Sequence, residues 1–213
     1  MKDFLITDFE FTMYRRPVGR PNGFFSEIIE IGAVRFNAAQ ERTGEMQNFV
    51  KPHFYPRQAK EGMEFSMITE KDMKTGIEFP DMLARLGGLY EAEKTFFVTW
   101  GDADYRVLNT GCEHHKLPNP IRAADCLDLA LAYRLWKGDD YTTGLKRATE
   151  ELEIKPEGLQ HTALDDAINT GKVLFKMMEK GWTPEQFFAG REEYIAGLKE
   201  RQERKRERRA SRK

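Results

Sequence analysis

The apolar residues of the chain fall into short runs whose spacing changes from that of strands to that of helices. Runs of β-favouring residues, the first beginning at Phe4, predict five strands at about 2–10, 28–37, 45–51, 95–100 and 121–124. The first three follow one another, with a polar turn at 37–40, which predicts an antiparallel meander. The later two are separated by helical patterns, which predicts parallel strands with crossover helices.

Apolar residues at helical spacing lie between and after the later strands. Thr69 is the predicted N-cap of a short helix at 70–73, and Pro80 lies near the start of the next one. The helix after the fourth predicted strand ends near residue 115, and three further helices are predicted at 125–136, 145–152 and 161–180. Residues 52–66 are predicted to form a loop. Together the elements predict an α/β fold: a mixed five-stranded sheet flanked by helices.

Composition adds a division of the chain. At 213 residues, the sequence predicts one domain over 1–190 and a basic C-terminal helix or tail over 191–213. Residues 199–213 hold nine of the 34 Lys and Arg residues but three of the 35 acids, so the rest of the chain is acidic. The basic segment is either an arm that grips phosphates or a solvated helix with Glu–Arg pairs four residues apart.

The chain also gives expectations about its compartment. The first residues include acids and do not resemble a secretory signal, and no apolar run has the length of a membrane span. The two cysteines, Cys112 and Cys126, suit a reducing compartment and form neither a zinc site nor a disulfide framework. We therefore expect a cytoplasmic protein that does not bind membranes. Its oligomeric state is open.

The first candidate for chemistry is Asp8-Phe9-Glu10, near the end of the first predicted strand. Side chains alternate along a strand, so Asp8 and Glu10 point the same way. Two carboxylates side by side repel unless a cation lies between them, and Mg²⁺ and Mn²⁺ prefer such oxygen ligands. The alternative is an edge strand with two solvated acids.

Two further groups of polar residues could complete such a site. His161 lies at or just before the start of the last long predicted helix, and Asp165 and Asp166 lie in its first turn. These acids could be ligands, or they could simply interact with the helix dipole. Asp102 and Asp104 follow the fourth strand, where ligands collect in α/β sheets, although Asp102 could instead cap the next helix.

These residues resemble the motifs of the DEDDh 3′–5′ exonucleases, which have the ribonuclease H-like fold. The family motif Asp-x-Glu-x-Thr matches Asp8, Glu10 and Thr12, and a His followed five residues later by an Asp matches His161 and Asp166. A lone Asp after the fourth strand matches this pattern at Asp104. The resemblance extends over about residues 1–180.

The branch of the family is indicated by other segments. The run Glu-Ile-Ile-Glu-Ile-Gly at 27–32 and the segment 100–104 look most like the RNA-trimming Eri-1/KapD-type branch. The opening Asp-Phe-Glu-Phe-Thr-Met at 8–13 is particularly similar to that of the bacterial KapD-type sporulation inhibitors.

The resemblance implies a metal-dependent 3′–5′ exonuclease that releases nucleoside 5′-monophosphates from single-stranded nucleic acid, with RNA favoured over DNA. It implies two Mg²⁺ or Mn²⁺ ions per site and a neutral His as general base. The implied metal ligands are Asp8, Glu10, Asp104 and Asp166, and the implied base is His161. The alternative function is a catalytically silent nucleic-acid-binding or regulatory protein of sporulation control, although a degenerate member of this kind would have lost a motif residue.

The resemblance also implies contacts with the substrate. The backbone near Phe11 and Thr12 would contact the terminal 3′-hydroxyl, and Met67 and Ile68 would pack on the terminal base. For Met67 and Ile68, ordinary packing at the start of a helix is an equal alternative.

Several other residues invite a functional interpretation. The cations Arg15, Arg16 and Arg20 lie after the first strand and are either phosphate contacts or part of a solvated loop. The pair His114-His115 is interpreted as a helix end and surface feature rather than a metal site, and Tyr133 and Trp136 are interpreted as core residues.

Overall fold

The computed structural model describes residues 2–14, 19–159, 161–194 and 196. Its centre is a five-stranded sheet in the order β3-β2-β1-β4-β5. The strands are β1 (Asp3–Phe11), β2 (Ile28–Phe36), β3 (Arg42–Phe49), β4 (Thr95–Thr99) and β5 (Cys126–Asp128). The pairs β1–β2 and β2–β3 are antiparallel, and the pairs β1–β4 and β4–β5 are parallel. The predicted mixed sheet is therefore confirmed.

Helices cover both faces of this sheet. They are α1 (Ala59–Phe65), α2 (Glu70–Lys74), α3 (Phe79–Leu89), α4 (Ala103–His115), α5 (Leu129–Lys137), α6 (Leu145–Glu151), α7 (Ala163–Glu179) and α8 (184–194). Thr69 caps α2 as predicted: its side chain accepts a hydrogen bond from the backbone N–H of Asp72, and the carboxylate of Asp72 accepts one from the N–H of Thr69.

The alternation along β1 divides the core into two layers. Phe4 and Ile6 pack with residues of α5, α6 and α7 on one face, whereas Leu5 and Phe9 pack with residues of α3 and α4 on the other. Even-numbered residues of β1 therefore face α7. This parity directs the polar end of the strand towards the start of that helix.

The predicted strand at 121–124 is wrong. Ile121 is a buried loop residue, and β5 begins at Cys126 and has three residues. The helix predicted from 125 begins at Leu129, where the Asp128 carboxylate accepts a hydrogen bond from the backbone N–H of Leu131 at 2.9 Å. Strand and helix follow one another without a turn, so their apolar residues merge into one run in the sequence.

The structure also contains two helices that were not predicted. Helix α1 lies within the predicted loop at 52–66, and its buried residues are Ala59 and Gly62. Helix α8 extends across the predicted domain boundary at 190, and its Phe187 is buried in the core together with Trp182. Two small residues make a weak periodic signal, which explains why α1 could not be predicted.

Candidate active site

The end of β1 presents two carboxylates to α7. Asp8 is half-buried and Glu10 is 9% exposed. The register places Glu10 opposite Glu30 of β2 and Asp8 opposite Gly32. The hydroxyl of Ser66, just after α1, donates a short hydrogen bond to the Glu10 carboxylate. No local pattern in the sequence indicates this contact, because 56 residues separate the two.

The start of α7 brings a histidine and a third carboxylate to the same place. His161 lies outside the helix, in the left-handed region with φ 68°, and its backbone N–H donates to the Asp166 carboxylate at 3.0 Å. One possible ligand atom from each of Glu10, His161 and Asp166 lies within 4.8 Å of the other two. Residues from opposite ends of the domain thus form one compact cluster.

The fourth carboxylate comes from the segment after β4. Asp104 lies in the first turn of α4, is 5% exposed and accepts a hydrogen bond from the backbone N–H of Phe9 at 3.0 Å. This bond ties Asp104 to β1 between Asp8 and Glu10. Asp102, two residues earlier, is exposed and forms an ion pair with Arg106 at 3.4 Å.

The two adjacent acids of α7 also differ in their surroundings. Asp166 lines an open cavity of about 490 Å³. The Asp165 carboxylate instead accepts a hydrogen bond from the backbone N–H of Leu159 at 2.8 Å and lies against Gly158. Its oxygens therefore hold the loop that precedes the helix.

The four carboxylate residues and the histidine described above all line this same cavity, and we call them the five motif residues: Asp8, Glu10, Asp104, His161 and Asp166. Trp100 forms part of its wall, and the indole N–H of Trp100 donates to the carbonyl oxygen of Thr143 at 3.2 Å. Of the described residues that line the cavity, Lys146 alone carries a permanent positive charge. Lys146 lacks a motif that would have identified it from the sequence.

The carboxylates of this cavity have pKa values above the ordinary range. Burial raises the pKa of Glu10 to about 7, although the Ser66 hydroxyl bond opposes the shift. Burial raises the pKa of Asp104 to about 7 as well, against the hydrogen bond from Phe9. The pKa of Asp8 is raised well above its usual value by burial and then by the charges of Asp104, Asp166 and Glu10.

The pKa of Asp166 is also raised. Burial raises it, whereas the hydrogen bond from the His161 backbone N–H lowers it. Burial is thus the main cause for all four acids, and the charges of Asp104 and Asp166 further disfavour the ionised forms of Asp8 and Glu10, in a site with little positive charge. A hard divalent cation would relieve this repulsion, and an all-carboxylate donor set fits Mg²⁺ or Mn²⁺.

Strand β2 holds the start of α7 in place. The buried Glu30 carboxylate accepts hydrogen bonds from the Gln47 side-chain amide at 2.9 Å and from the Ala163 backbone N–H at 3.5 Å. At Gly32, a Cβ atom would lie 2.1 Å from backbone atoms of Ala163 and Leu164. The run at 27–32 thus positions the helix that carries Asp166.

The candidate substrate contacts are only partly brought to the cavity. Phe11 lines it. Thr12 is fully buried, and its hydroxyl accepts a hydrogen bond from the Glu27 backbone N–H at 2.9 Å, so the side chain joins the segments that follow β1 and precede β2. Ile68 is 7% exposed and packs with Ile29, which corresponds to the ordinary packing alternative.

Met67 differs from its neighbour Ile68, because it is 60% exposed and has φ 57°. Met67 is therefore the accessible member of the pair that was predicted to pack on the terminal base.

The arginines after the first strand are only partly described. Arg20 donates to the Phe24 carbonyl oxygen at 3.3 Å and lies over the Phe24 ring. Arg15 and Arg16 lie outside the described residues, as does the segment 199–213.

His114 and His115 form no metal cluster among the described residues. The His114 ring stacks on Phe25 with 3.7 Å between centroids, and the His115 ring stacks on Phe79 at 4.5 Å. Burial lowers the pKa of His115.

The aromatic residues interpreted as core lie there. Tyr133 is buried in the core, as predicted, and Trp136 packs against it. Within the described residues, none of the helices combines the length and hydropathy that a membrane crossing requires.

The chain matches one family along most of its length. The family model described as Exonuclease (RNase_T) matches residues 5–174. The probable 3′-5′ exonuclease KapD of Bacillus subtilis is 37% identical over 178 residues, which cover 83% of this chain and 84% of the relative. The family match covers all five motif residues.

A second relative and a solved structure agree with this match. Human ERI1 exoribonuclease 2 is 27% identical over 203 residues, but the match covers 84% of this chain and 29% of that longer protein. The nuclease domain of 3′hExo, a DEDDh family member bound to rAMP, superposes with a TM-score of 0.72 at 25% identity, over 84% of this chain and 93% of that one. The fold, the motif residues and the relatives therefore all indicate the same family of exonucleases.

Proposed function

Because the chain belongs to the RNase_T exonuclease family and is a metal-dependent 3′–5′ exonuclease of the DEDDh type, we propose that its five motif residues catalyse the removal of nucleoside 5′-monophosphates from single-stranded RNA. The observation that carries this proposal is the convergence of Asp8, Glu10, Asp104, His161 and Asp166 on one cavity wall. Single-stranded DNA would be a poorer substrate.

The four carboxylates would hold two Mg²⁺ or Mn²⁺ ions. Their raised pKa values support this assignment, because two ions would compensate four adjacent negative charges. When bound, such ions activate water and stabilise the charge that develops on the phosphate. Before binding them, Glu10 and Asp104 must lose protons that they hold below about pH 7.

His161 is the proposed general base. A ring nitrogen of His161 lies within 4.8 Å of carboxylate oxygens of Glu10 and Asp166, so a water molecule among them is within its reach. The bond from the His161 N–H to Asp166 fixes the backbone that carries the ring. The ring also lies 4.4 Å from that of Phe65, which limits its rotation.

The substrate assignment rests on the lining of the cavity and on the relatives. Of the residues that line the cavity, Phe11 would contact the terminal 3′-hydroxyl through its backbone, and Lys146 would contact a phosphate. Met67 is exposed and would contact the terminal base, as the resemblance to the family implies. Relatives described as exoribonucleases and the neighbour bound to rAMP support RNA as the preferred substrate. The free cysteines Cys112 and Cys126 support a cytoplasmic location.

The alternative of a catalytically silent regulator is not favoured. All five motif residues are present, and they converge on the cavity rather than being scattered. The relatives that cover the site are described as exonucleases.

The direct test is incubation of single-stranded RNA and DNA, labelled at either end, with the protein and Mg²⁺ or Mn²⁺. We expect 5′-labelled strands to shorten in single-nucleotide steps and 3′-labelled strands to release a labelled mononucleotide at once. RNA should be degraded faster than DNA of the same sequence. Internal cuts, or shortening from the 5′ end, would contradict the proposal.

A further inference from the structure

A cluster of aromatic rings lies beside the catalytic cavity, and we call it the aromatic platform: Phe24, Phe25, Phe54, Tyr55 and His114. The Phe25 ring lies 5.3 Å from the rings of Phe54 and Tyr55, and the Phe24 ring lies 5.1 Å from that of Tyr55. Phe54 is 38% exposed. The platform contains none of the five motif residues and none of the residues that line the catalytic cavity.

The platform is held rigid by one carboxylate. Glu27, which is 7% exposed, accepts hydrogen bonds from the backbone N–H groups of His53, Phe54 and Tyr55 at 2.6, 2.9 and 2.6 Å. Three bonds to one carboxylate fix the loop that carries two of the rings. A surface ordered in advance binds a ligand at a lower entropic cost.

A groove of about 360 Å³ connects the platform to the catalytic cavity. Phe25 lines this groove, and Phe11 and Ala103 line both the groove and the cavity. Arg106 also lines the groove with an exposed side chain, and its partner Asp102 is exposed too. A strand that leaves the cavity past Phe11 would therefore meet a cation and then a cluster of aromatic rings.

We propose that the groove and the aromatic platform bind the nucleotides upstream of the one being removed. This inference rests on the proposed function, which places the 3′ end of the strand in the cavity. Aromatic faces stack on any base without regard to sequence, and an exposed arginine attracts phosphates. The platform is continuous with the cavity, so a single strand can occupy both.

The first test separates strand binding from catalysis. The double variant Phe25→Leu/Phe54→Leu keeps apolar volume but removes two flat rings. We expect its affinity for a single-stranded RNA of about eight nucleotides, measured in Ca²⁺ so that the strand stays intact, to fall roughly tenfold or more. Its kcat/KM on the p-nitrophenyl ester of a nucleoside 5′-monophosphate, which has no upstream nucleotide, should equal that of the wild type. Phe175→Leu is the matched control, since Phe175 is half-buried on α7 and lines a different cavity with Ala38 and Gln40.

The second test concerns the groove. Arg106→Gln should reduce the slope of log affinity against log salt for the same RNA by about 0.7. Arg85→Gln, which removes an arginine of α3 that donates to Asn48, should leave the slope unaltered. Photocrosslinking of strands that carry 5-iodouridine should label the peptide that contains Phe54.

The outcomes distinguish the platform from the nuclease. If the protein fails to degrade any strand but still loses RNA affinity in the Phe25→Leu/Phe54→Leu variant, the platform stands and the proposed function fails. If the Phe25→Leu/Phe54→Leu variant binds RNA as tightly as the wild type and as the control variants Phe175→Leu and Arg85→Gln, the platform does not bind the strand. A protein partner then becomes its occupant. Equal losses on the p-nitrophenyl ester and on the longer strand would show a disturbed catalytic cavity and would also overturn the inference.

Discussion

At the residue scale, two pairs of acids, Asp102/Asp104 and Asp165/Asp166, each contain one member at the cavity and one that is otherwise engaged. Asp104 and Asp166 line the cavity, whereas Asp102 pairs with Arg106 and Asp165 binds the Leu159 N–H. The sequence alone could not separate them by spacing, since both acids of α7 follow His161 within about one helical turn. Burial and bonding partners do separate them.

These surroundings predict the effects of four amide substitutions. Asp104→Asn and Asp166→Asn should abolish turnover, because each removes a charge that a divalent ion requires. Asp102→Asn and Asp165→Asn should keep most of it, and in the latter variant the amide carbonyl oxygen could still accept the Leu159 N–H. Initial rates on 3′-labelled RNA measure the difference. An inactive Asp165→Asn enzyme with native folding would show that the wrong acid has been assigned.

A second residue-scale prediction concerns the base. His161 has φ 68°, a conformation that Asn tolerates better than most residues, so His161→Asn tests the imidazole with little change in backbone strain. Turnover should fall roughly a hundredfold or more. RNA affinity in Ca²⁺ should be nearly unchanged. A variant that binds RNA normally and retains its rate would exclude His161 as the base.

The carboxylates predict how metal and pH act together. Their folded pKa values, about 7 for Glu10 and Asp104, lie above those of the unfolded chain. The metal-free protein is therefore favoured below the unfolded values of about 4, and it loses this stability as the pH rises through about 7. In a chelator, Tm should fall between about pH 5 and pH 8, and Mg²⁺ should raise it most at the upper end.

Nuclease activity should also depend on the bound divalent ions. It should vanish in a chelator and return with Mg²⁺ or Mn²⁺ but poorly with Zn²⁺, because the proposed ligands are all oxygens. Asp102→Asn is a suitable control and should keep the Mg²⁺ effect on Tm. Cleavage at full rate in excess chelator, or a Mg²⁺ effect on Tm that is largest at about pH 5, would argue against the four-carboxylate assignment.

At the scale of elements, the function depends on how closely α7 approaches β2. A Cβ at Gly32 would lie 2.1 Å from the backbone of Ala163 and Leu164, and the backbone cannot rotate away as a flexible side chain could. Gly32→Ala should therefore displace the start of α7, lower Tm and reduce turnover severely. Circular dichroism melts and initial rates would measure both effects.

Gly88 provides the matched control. It is exposed in α3, and a Cβ there would meet nothing within 4 Å. Gly88→Ala should keep full activity and leave the protein as stable or up to about 1 kcal/mol more stable. If Gly32→Ala were equally harmless, the packing of β2 against α7 would not position the site.

The elements also show what could be predicted from the sequence. Strands β1, β2 and β4 were predicted within a residue or so because each has a clear apolar run and a polar boundary. Strand β3 was predicted to begin three residues late, because Met46 and Phe49 are its only large apolar residues. Helix α1 was not predicted, because its buried residues are the small Ala59 and Gly62, and Gly62 packs its backbone against the Phe11 carbonyl oxygen. The motif residues could be identified from local patterns, whereas Ser66 and Glu30 depend on contacts that only the folded chain creates.

At the scale of the whole molecule, the acidic cavity and the basic end of the chain are opposite in charge. Residues 199–213 carry a net charge of +6, whereas the remainder of the chain is acidic. The predicted division into 1–190 and 191–213 stays a proposal, and α8 extends past its boundary to residue 194. A strand that binds an acidic enzyme needs positive charge from elsewhere, and the basic segment is one source.

Removal of residues 199–213 tests whether this segment binds the substrate. The buried core of the described residues extends only to Phe187, so the truncated enzyme should fold. The five motif residues all precede Gly171, so it should degrade a short oligonucleotide at the rate of the full chain. If the segment binds long RNA, its removal should reduce the slope of log affinity against log salt by about 0.7 for every phosphate that it neutralises. We expect weaker binding of long RNA at low salt and a smaller difference at high salt, because screening removes the same interaction.

Replacement of the basic segment by a Gly/Ser sequence of equal length is the control for chain length. This variant should bind long RNA as weakly as the truncated enzyme, because a flexible uncharged chain supplies no cation to a phosphate. Equal affinities and equal salt slopes for the full and truncated chains would instead show that the basic segment is a solvated end. The cavity, the groove and the aromatic platform would then hold the strand without it, and Lys146 and Arg106 would be the cations on its path.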